Sequence, residues 1–437
     1  MAGEWKTARI GDCFDLVGGY AFKSSEFIES GIPVIKIKNV KANRMLFHDL
    51  SYVAPEFLNT RADKIVQKGD LLITMSGNRF DGSPDTWVGK VAQFNDSRPF
   101  LLNQRVGILR PKKGTNVDRR FFSFSLSSHF YQTEFIAIAT SSGGQANLSP
   151  SQILGAPIEY PPLAEQKAIA AVLGALDDKI ELNRCMNATL EAMARALFQS
   201  WFVDFDPVRA KLDGRQPVGL ERTTAALFPS TFYDSEAGHI PKDWTIKPVG
   251  EIVDCVGGGT PSTAEPKYWE GGTHHWTTPK DFSSLQAPVL LDTDRKLTDA
   301  GIAKISSGLL PAGTLLLSSR APVGYLAIAA MPVAINQGFI ALKCNEHASN
   351  FFMLNWCQTN MTEIESRATG TTFAEISKQN FRPIRVVLPP KELVAAFTKN
   401  VAPLYAQITA NLHQSRTLAT LRDALLPKLL SGEIKTS

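Results

Sequence analysis

The sequence predicts an α+β fold in which two similar mixed α/β domains are separated by a pair of long antiparallel helices. Two long proline-poor stretches, one central and one C-terminal, show helical apolar periodicity. The two halves of the chain also match each other over nearly their whole length, so the chain is an internal repeat. At 437 residues, with 44% hydrophobic and 20% charged residues, it is long enough for more than one core.

The first long helix is predicted within 161–205, with its clearest part from Leu163 to Phe202. Pro161-Pro162 precedes this part and Asp206-Pro207 follows it. About 36 helical residues at ~1.5 Å each make a rod of about 54 Å. Apolar residues at alternating three- and four-residue steps predict a seam that pairs with another helix: Ile169, Leu173, Leu176, Ile180, Met186, Leu190, Met193 and Leu197.

The second long helix is predicted within 391–437. A shift of 228 positions places Phe397, Val401, Leu404, Ile408, Leu418, Leu421 and Leu425 on residues of the first seam. The order of the elements along the chain allows the two helices to pair along their length only if they are antiparallel. An approximate twofold axis then relates the two similar domains. Asn183 then approaches Asn411, and a buried asparagine in such a spacer fixes the register. The alternative is that both asparagines face solvent.

The two domains are predicted at 1–160 and 241–390, with a linker at 206–240. Trp5, Gly11, Gly18 and Gly19 recur as Trp244, Gly250, Gly257 and Gly258, and residues 141–162 match 368–390. Short apolar runs between glycines and polar turns predict strands. Residues 118–135 and 350–366 each predict one amphipathic helix per domain.

Charge and cysteine content set limits on the class of protein. The formal net charge of +4 permits nucleic-acid binding without arguing for it. The five cysteines show no C-x-x-C spacing, and no apolar run approaches the ~18 residues of a membrane span. We therefore expect a reduced, cytoplasmic protein.

Catalytic and metal-binding motifs are absent from the sequence. It contains no phosphate-binding G-x-x-x-x-G-K-[ST], no H-E-x-x-H, no G-x-S-x-G and no [ND]-P-P-[FY]. His274-His275 has no third ligand nearby in sequence, so no metal site is expected. We expect no catalytic residues and no enzymatic activity in this chain.

Polar loops recur at matching places in the two domains, although each alone could be an ordinary turn. Arg, Asn and Gln match base edges, whereas Ser, Thr and backbone N–H groups hold phosphates. Arg320 is the only evident counterpart of Asn78 and Arg79. The predicted DNA-contacting residues are Lys36, Lys38, Ser76, Asn78, Arg79, Gln104, Arg105, Gln145, Asn147, Thr278, Lys280, Ser319, Arg320, Gln337, Thr371 and Thr372.

The segment WFVDFDPVRAKLDGRQPVGL (201–220) resembles the central region of type I restriction-modification specificity subunits, known as HsdS. The order domain, helix, domain, helix fits the same family, as does the ending Leu430–Ile434. The resemblance implies a non-catalytic DNA reader. Each target recognition domain would bind half of a bipartite, asymmetric sequence, and the helices would set the gap. The alternative is a coiled-coil scaffold with two protein-binding modules and no DNA selectivity.

The resemblance also implies partners for this chain. Two modification subunits would use S-adenosylmethionine, restriction subunits would use ATP and magnesium, and no cofactor would bind this chain itself. The acidic linker is either a partner-docking surface or a solvated connector. We expect Trp201, Phe202 and Phe205 to cap the helix pair or to pack under a partner.

Overall fold

The computed structural model describes residues 5–47, 49–80, 83–142, 144–236, 238–320, 322–370 and 374–435. The chain forms two compact units. The first unit comprises Met1–Lys179 and Thr417–Ser437, and the second comprises Ile180–Arg416. Each unit therefore contains one domain and a part of both long helices. Among the described residues, no helix combines the length and apolar character needed to cross a membrane.

The first domain is built from short strands and helices. Its strands are β1 Lys6–Arg9, β2 Phe14–Gly18, β3 Phe27–Ile28, β4 Ile32–Ile35, β5 Val40–Lys41, β6 Arg44–Met45, β7 Ser51–Val53, β8 Ile65–Val66, β9 Leu71–Thr74, β10 Ser76–Gly77, β11 Val91–Gln93, β12 Phe100–Leu102, β13 Val106–Pro111, β14 Thr140–Ser142, β15 Gln145–Asn147 and β16 Pro157–Tyr160. Its helices are α1 Ile10–Cys13, α2 Phe57–Thr60, α3 Arg119–Leu126, α4 His129–Ile138 and α5 Pro150–Gly155. The first long helix, α6 Leu163–Phe202, follows it.

The second unit has a comparable set of elements. Its strands are β17 Phe232–Ser235, β18 Gly238–Pro241, β19 Thr245–Pro248, β20 Asp254–Gly257, β21 His274–Thr277, β22 Val289–Leu290, β23 Arg295–Leu297, β24 Leu315–Ser318, β25 Leu326–Ala329, β26 Val333–Ile335, β27 Phe339–Lys343 and β28 Arg385–Leu388. Its helices are α7 Asp206–Leu212, α8 Arg222–Ala226, α9 Val249–Ile252, α10 Pro279–Phe282, α11 Asp299–Ile302, α12 Asn350–Thr359, α13 Met361–Ser366, α14 Lys378–Phe381 and the long helix α15 Lys391–Leu430.

The internal repeat is confirmed by the pairing of the strands. The order β11-β9-β13-β2 in the first unit corresponds to β25-β24-β27-β20 in the second. In each unit a parallel pair, β4 with β12 or β21 with β26, belongs to a further sheet. The first and last strands of each domain also pair, as β1 with β16 and β19 with β28. The predicted α+β fold with two similar mixed domains is therefore correct.

Two of the repeated glycines are explained by close backbone packing. A Cβ atom at Gly19 would lie 2.0 Å from the Asn103 carbonyl oxygen, and one at Gly258 would lie 1.9 Å from the Ile335 carbonyl oxygen. Neither distance allows a side chain, so only glycine fits at these positions. Both glycines therefore pack against the same part of the fold, where a strand ends in a polar loop.

Helices α6 and α15 pair in antiparallel fashion within the second unit. The Asn183 Nδ2 atom donates to the Gln414 Oε1 atom at 2.9 Å, to the Ser415 Oγ atom at 3.2 Å and to the Asn411 carbonyl oxygen at 3.3 Å. Nearer the end of α6, the Phe202 ring lies 5.2 Å from the ring of Phe397. Residue numbers thus fall along one helix as they rise along the other. The predicted approach of Asn183 to Asn411 is confirmed, and both side chains are buried.

The first unit contains the other ends of the same two helices. Ile169 and Leu173 of α6 are buried in one core together with Leu429 of α15. The Arg422 guanidinium contacts the Asp177 carboxylate at 2.7 Å, and Asn43 also donates to Asp177. Each long helix has 40 residues, so each is about 60 Å long, slightly longer than the sequence predicts.

Two residues of the predicted seam are exposed, whereas the others are buried or half-buried. Met193 is 53% exposed and Leu421 is 46% exposed, although a shift of 228 positions superimposes them. The buried face of α6 passes instead through Asn187, Ala194 and Phe198. Residue 193 is rotated by about 100° from residue 194, which places it outside the narrow buried stripe. The prediction for this pair was wrong.

The amphipathic segment predicted in each domain is also not a single helix. In the first domain Ser128 separates α3 from α4 and caps α4 by accepting a hydrogen bond from the Tyr131 amide. In the second, Asn360 separates α12 from α13, and its Nδ2 atom donates to the Trp356 carbonyl at 2.8 Å. Both breaks arise where a polar side chain bonds to the nearby main chain.

The segment 206–240 is folded onto the second unit over much of its length. Val208 and Phe228 are buried in the same core as Trp201, and the rings of Phe228 and Trp201 lie 5.2 Å apart. Phe205 adopts a left-handed backbone conformation (φ 57°) where α6 ends, and its ring lies 5.5 Å from Trp244. Trp201 and Phe202 at the end of α6 and Phe205 beyond it therefore cap the helix pair, as predicted, and part of the linker is packed rather than solvated.

We predict that Phe202→Ala destabilises the second unit by about 3–5 kcal/mol, because it removes a buried aromatic ring and leaves a cavity. Phe202 is 6% exposed and contacts the rings of Phe352 and Phe397. Met193→Ala on the same helix is the matched control and should change the free energy of unfolding by less than about 0.5 kcal/mol. Urea unfolding measures both. Equal effects of the two substitutions would contradict the assignment of the buried face.

Candidate nucleic-acid interface

The ends of the parallel strands bring several of the predicted residues together in each unit. In the first unit Leu102 pairs with Ile35, and the Asn103 N–H donates to the Ile35 carbonyl at 3.0 Å. Lys36 follows Ile35 in the sequence, and Gln104 follows Asn103. In the second unit Ile335 pairs with Thr277, and the Asn336 N–H donates to the Thr277 carbonyl at 3.1 Å. Thr278 and Gln337 follow in the corresponding places.

A second set of main-chain hydrogen bonds joins a further loop to this place. The Met75 N–H donates to the Arg105 carbonyl at 2.8 Å, and the Met75 carbonyl accepts from the Leu148 N–H at 2.9 Å. Ser319 is bonded in the same way, to Gly338 at 2.7 Å and to Ile376 at 3.0 Å. We call the resulting surface the polar edge. It consists of Lys36, Ser76, Gln104, Arg105 and Asn147 in the first unit, and of Thr278, Ser319, Arg320 and Gln337 in the second.

In the first unit the polar edge contains a hydrogen-bonded cluster of three predicted residues. Ser76 and Asn147 face each other on paired strands, and the Ser76 Oγ atom donates to the Asn147 Oδ1 atom at 2.7 Å. The Arg105 Nη1 atom donates to the same oxygen at 3.3 Å. Arg105 is exposed, and a guanidinium has five N–H donors. Its remaining donors can therefore bind an external acceptor.

In the second unit Arg320 is the cation of the polar edge. Its Nη1 atom lies 3.2 Å from the Glu375 Oε2 atom, and both side chains are about 40% exposed. Ser319 and Met75 make equivalent main-chain hydrogen bonds, and Arg320 and Ser76 are the residues that follow them. Arg320 forms a main-chain β-bridge with Glu375, just as Ser76 pairs with Asn147. Arg320 therefore corresponds to Ser76 and not to Arg79, contrary to the sequence comparison. Main-chain pairing reveals this because the intervening loops differ in length.

Asn78 and Arg79 belong to a loop that the second unit lacks. In the first unit, hydrogen bonds of Thr74 with Gly89 and Lys90 close the two ends of this loop. In the second unit, hydrogen bonds of Ser318 with Gly324 and Tyr325 close the corresponding loop. Fourteen residues (75–88) lie between the first pair of ends and five (319–323) between the second. The Asn78 Nδ2 atom donates to the Thr86 Oγ1 atom at 3.0 Å.

Arg79 is only half-buried, but it is tied to the fold. Its Nη2 atom donates to the Ala139 carbonyl at 2.5 Å. Its Nε atom is buried with no hydrogen-bond partner among the described residues. Both Arg79 and Arg105 thus donate to the protein, but Arg79 is half-buried whereas Arg105 is exposed.

Several predicted residues have structural partners. Thr278 caps α10, with its N–H 2.7 Å and its hydroxyl 3.0 Å from the Asp281 Oδ2 atom. Lys38 pairs with Asp49, and the Lys280 Nζ atom lies 3.4 Å from Asp294. These surface ion pairs are weak, so phosphate can compete for both lysines.

The remaining predicted residues differ in accessibility. Gln145 and Gln337 are exposed, and the Gln337 Oε1 atom accepts from Thr260 at 2.6 Å. Ser319 is buried, so its main chain rather than its hydroxyl shapes the polar edge. Thr371 and Thr372 lie outside the described residues.

Lys36 of the polar edge and Arg295 of β23 each lie over an aromatic ring, a contact that the sequence does not predict. The Lys36 Nζ atom is 3.9 Å from the centre of the Phe27 ring, and burial lowers the pKa of Lys36, with Lys38 lowering it further. In the second unit the Arg295 guanidinium is 3.5 Å from the Trp269 ring. Such contacts join residues 9 and 26 positions apart in the sequence, so no local sequence pattern signals them.

The two histidines of the His274-His275 pair each lie beside an aspartate. The His274 Nε2 atom contacts Asp299 at 2.7 Å, whereas the His275 Nδ1 atom contacts Asp292 at 3.2 Å. The two rings thus have different carboxylate partners. Within the part of the chain that the structure describes, no group of three or more His, Cys, Asp or Glu side chains could hold a metal ion.

Comparison with known proteins identifies the family. The model of the type I restriction modification DNA specificity domain matches residues 2–192 and again 241–406, which together are most of the chain. The chain belongs to this family. The two matches of the specificity family coincide with the repeated domains and their polar edges.

Individual relatives agree with this assignment. The type I restriction enzyme HindI specificity subunit of Haemophilus influenzae is 25% identical, over 99% of this chain and 100% of the relative. A putative type I restriction enzyme MjaX specificity subunit of Methanocaldococcus jannaschii is 24% identical, over 99% and 94%. A crystal structure of a type I restriction-modification S subunit from M. genitalium matches 98% of this chain and 96% of its own, with a TM-score of 0.57 and 16% identity. That similarity supports the fold.

We predict that Arg79→Ala and Arg320→Ala each weaken binding of target DNA by more than tenfold, because a good bidentate arginine contact is worth about 1–3 kcal/mol. Arg184→Ala is the matched control. That arginine lies on α6 and pairs with Glu181, so its loss should leave affinity unchanged. Fluorescence anisotropy at physiological salt measures all three, with thermal melting to confirm folding. Unchanged affinity in a folded variant would remove that arginine from the interface.

Proposed function

We propose that this chain is the DNA sequence-specificity subunit of a type I restriction-modification complex and that each domain binds one half of a bipartite target. The observation that carries the proposal is the polar edge, which is built twice in one chain on the same main-chain hydrogen bonds. A reader of two half-sites requires two such surfaces. Family membership and the specificity subunits that resemble the chain over nearly its full length support this function.

The two half-sites should differ in sequence. Ser76 in the first unit corresponds to Arg320 in the second, Arg105 corresponds to Gly338, and Lys36 corresponds to Thr278. These exchanges alter charge and hydrogen-bonding capacity while the main-chain framework stays the same. Because base edges are distinguished by their donors and acceptors, different side chains select different bases. An asymmetric target follows.

The long helices are proposed to set the gap between the half-sites. Their register is fixed by buried amides, since the Asn183 Nδ2 atom lies 2.9 Å from the Gln414 Oε1 atom and the Asn411 Nδ2 atom lies 2.8 Å from the Asn187 Oδ1 atom. A helix of about 60 Å matches at most roughly 18 base pairs at ~3.4 Å each. The unread gap is shorter, because each domain also covers its own half-site.

Catalysis and cofactors are assigned to partner subunits. Two modification subunits would supply methyl transfer from S-adenosylmethionine, and restriction subunits would supply ATP- and magnesium-dependent cleavage. Two copies of one modification subunit need two equivalent surfaces. Met193 and Leu421 are exposed apolar residues at corresponding positions of the two long helices, one in each unit. Each would contact one copy of the modification subunit.

Expression of the chain with its modification subunits in a host without DNA methylation tests the proposed function. Mapping of methylated positions should then give a single bipartite motif that disappears when this chain is omitted. The alternative, a scaffold with two protein-binding modules, gives assembly without a motif. Methylation at unrelated sequences, or at the same sites without this chain, would refute the proposed function.

We predict that a seven-residue insertion in both long helices lengthens the preferred gap by about three base pairs. Seven residues add about 10.5 Å and return the seam nearly to the same face. The insertions belong after Ile180 and after Arg416, since these positions are opposite each other in the register set by Asn183 and Asn411. The same seven residues inserted after Gly214, in an exposed turn, serve as the control. Altered half-sites, or an unchanged gap, would contradict a spacer role.

A further inference from the structure

The loop at 75–88 carries an exposed aromatic side chain beside the polar edge of the first unit. Phe80 follows Asn78 and Arg79 directly and is 53% exposed. The loop is nine residues longer than its counterpart at 319–323, which contains no aromatic residue. An insertion that enlarges one of two matched surfaces gives that surface a feature that the other lacks.

The described residues of this loop, 75–80 and 83–88, are held by several contacts. The Asn78 N–H donates to the Thr86 carbonyl at 2.8 Å, and the Val88 N–H donates to the Asn78 carbonyl at 3.0 Å. The Lys41 Nζ atom donates to the Asp85 carbonyl at 2.9 Å, and the buried Lys90 donates to the same oxygen. The base of the loop is therefore fixed by main-chain bonds and by two lysines.

The Phe80 ring is itself positioned. It contacts the Trp87 ring edge to face, with a centroid separation of 5.1 Å and an interplanar angle of 81°. One side of the Phe80 ring is thus supported, while more than half of the side chain remains in contact with water. Exposure of an aromatic ring to water is unfavourable, and the ring is preorganised for burial against a flat apolar partner.

We propose that Phe80 inserts as a wedge at a base step of the half-site bound by the first unit, and that the second half-site is bound without such a wedge. This inference rests on the proposed function. Apolar side chains that enter DNA partly unstack a base step, while adjacent polar groups hold the backbone. Arg79, Asn78 and the exposed Arg105 supply those polar groups. A protein partner is less well matched, because Arg79 and Arg105 are donors suited to phosphates and base edges. The Asp85 carboxylate of the same loop faces the Lys41 Nζ atom at 4.0 Å.

The proposal is tested on the complex of this chain with its modification subunits, bound to its mapped target. Duplexes carry 2-aminopurine at one position at a time across both half-sites, because the fluorescence of this base rises on unstacking. We expect a several-fold rise next to one step, in one half-site only. Phe80→Ala should abolish that rise and weaken binding about tenfold, the order of magnitude expected for one stacked base. Phe80→Leu keeps an apolar wedge and should retain most of the signal.

Phe130→Ala is the matched control, because Phe130 is also exposed (65%) and also packs edge to face on a neighbouring ring, that of Tyr131. It should change neither fluorescence nor affinity. A base extruded for methylation would also fluoresce. That signal persists in Phe80→Ala, so the difference between the variant and the unaltered protein isolates the wedge.

Three results would overturn the proposal. The first is an identical fluorescence profile for the Phe80→Ala complex and the unaltered complex. The second is a loss of fluorescence in both half-sites on Phe80→Ala. The third is weaker assembly of Phe80→Ala with the modification subunits while the DNA fluorescence stays unchanged. The last would assign Phe80 to a protein interface. Failure of the unaltered complex to prefer its target would refute the proposed function instead. Should Phe80→Ala fold poorly, a Phe80→Leu variant without the fluorescence rise decides against the wedge.

Discussion

The buried amide of Asn183 constrains the helix pair more than any apolar contact does. Its Nδ2 atom reaches three acceptors on α15, and the Asn411 Nδ2 atom in turn donates to Asn187 at 2.8 Å. A buried amide without partners costs about 1–3 kcal/mol, so sliding the helices by one turn would be penalised. The Asn183 Oδ1 atom is itself unpaired among the described residues. The amide therefore favours one register over others rather than maximal stability.

The fixed register determines which residues meet at the ends of the helices. In the second unit it brings Phe202 against Phe397, and these rings form one core with the aromatic residues that follow α6. That core extends into the domain through Phe352 and Trp244. Strand β24, which leads into Ser319 and Arg320 of the polar edge, belongs to that core through Leu315 and Leu317. A rigid connection of this kind is what a protein needs if the position of a binding surface is to be set by helix length.

The sequence predicts the long helices well because their signals are local. Periodic apolar residues and flanking prolines suffice to place α6 from Leu163 to Phe202. Predictions failed where a contact that apolar periodicity does not show decides the outcome. The exposure of Met193 depends on which side of α6 faces the distant helix α15, whereas the split at Ser128 depends on a local cap. Arg320 was matched to the wrong residue because a linear comparison does not show where a loop has been lengthened.

The division between main chain and side chain explains how one fold can carry two specificities. Hydrogen bonds from Asn103 and Asn336 to the preceding strands involve only backbone atoms, so they tolerate exchange of the neighbouring side chains. Selection for a new target can then change Arg105, Thr278 or Arg320 without disturbing the sheets. Loop length is a further variable, because the loop at 75–88 is nine residues longer than its counterpart at 319–323 and carries the exposed Phe80. A wedge of the kind proposed for Phe80 would give one half of the repeat a means of selecting sequence that side-chain exchange alone would not provide.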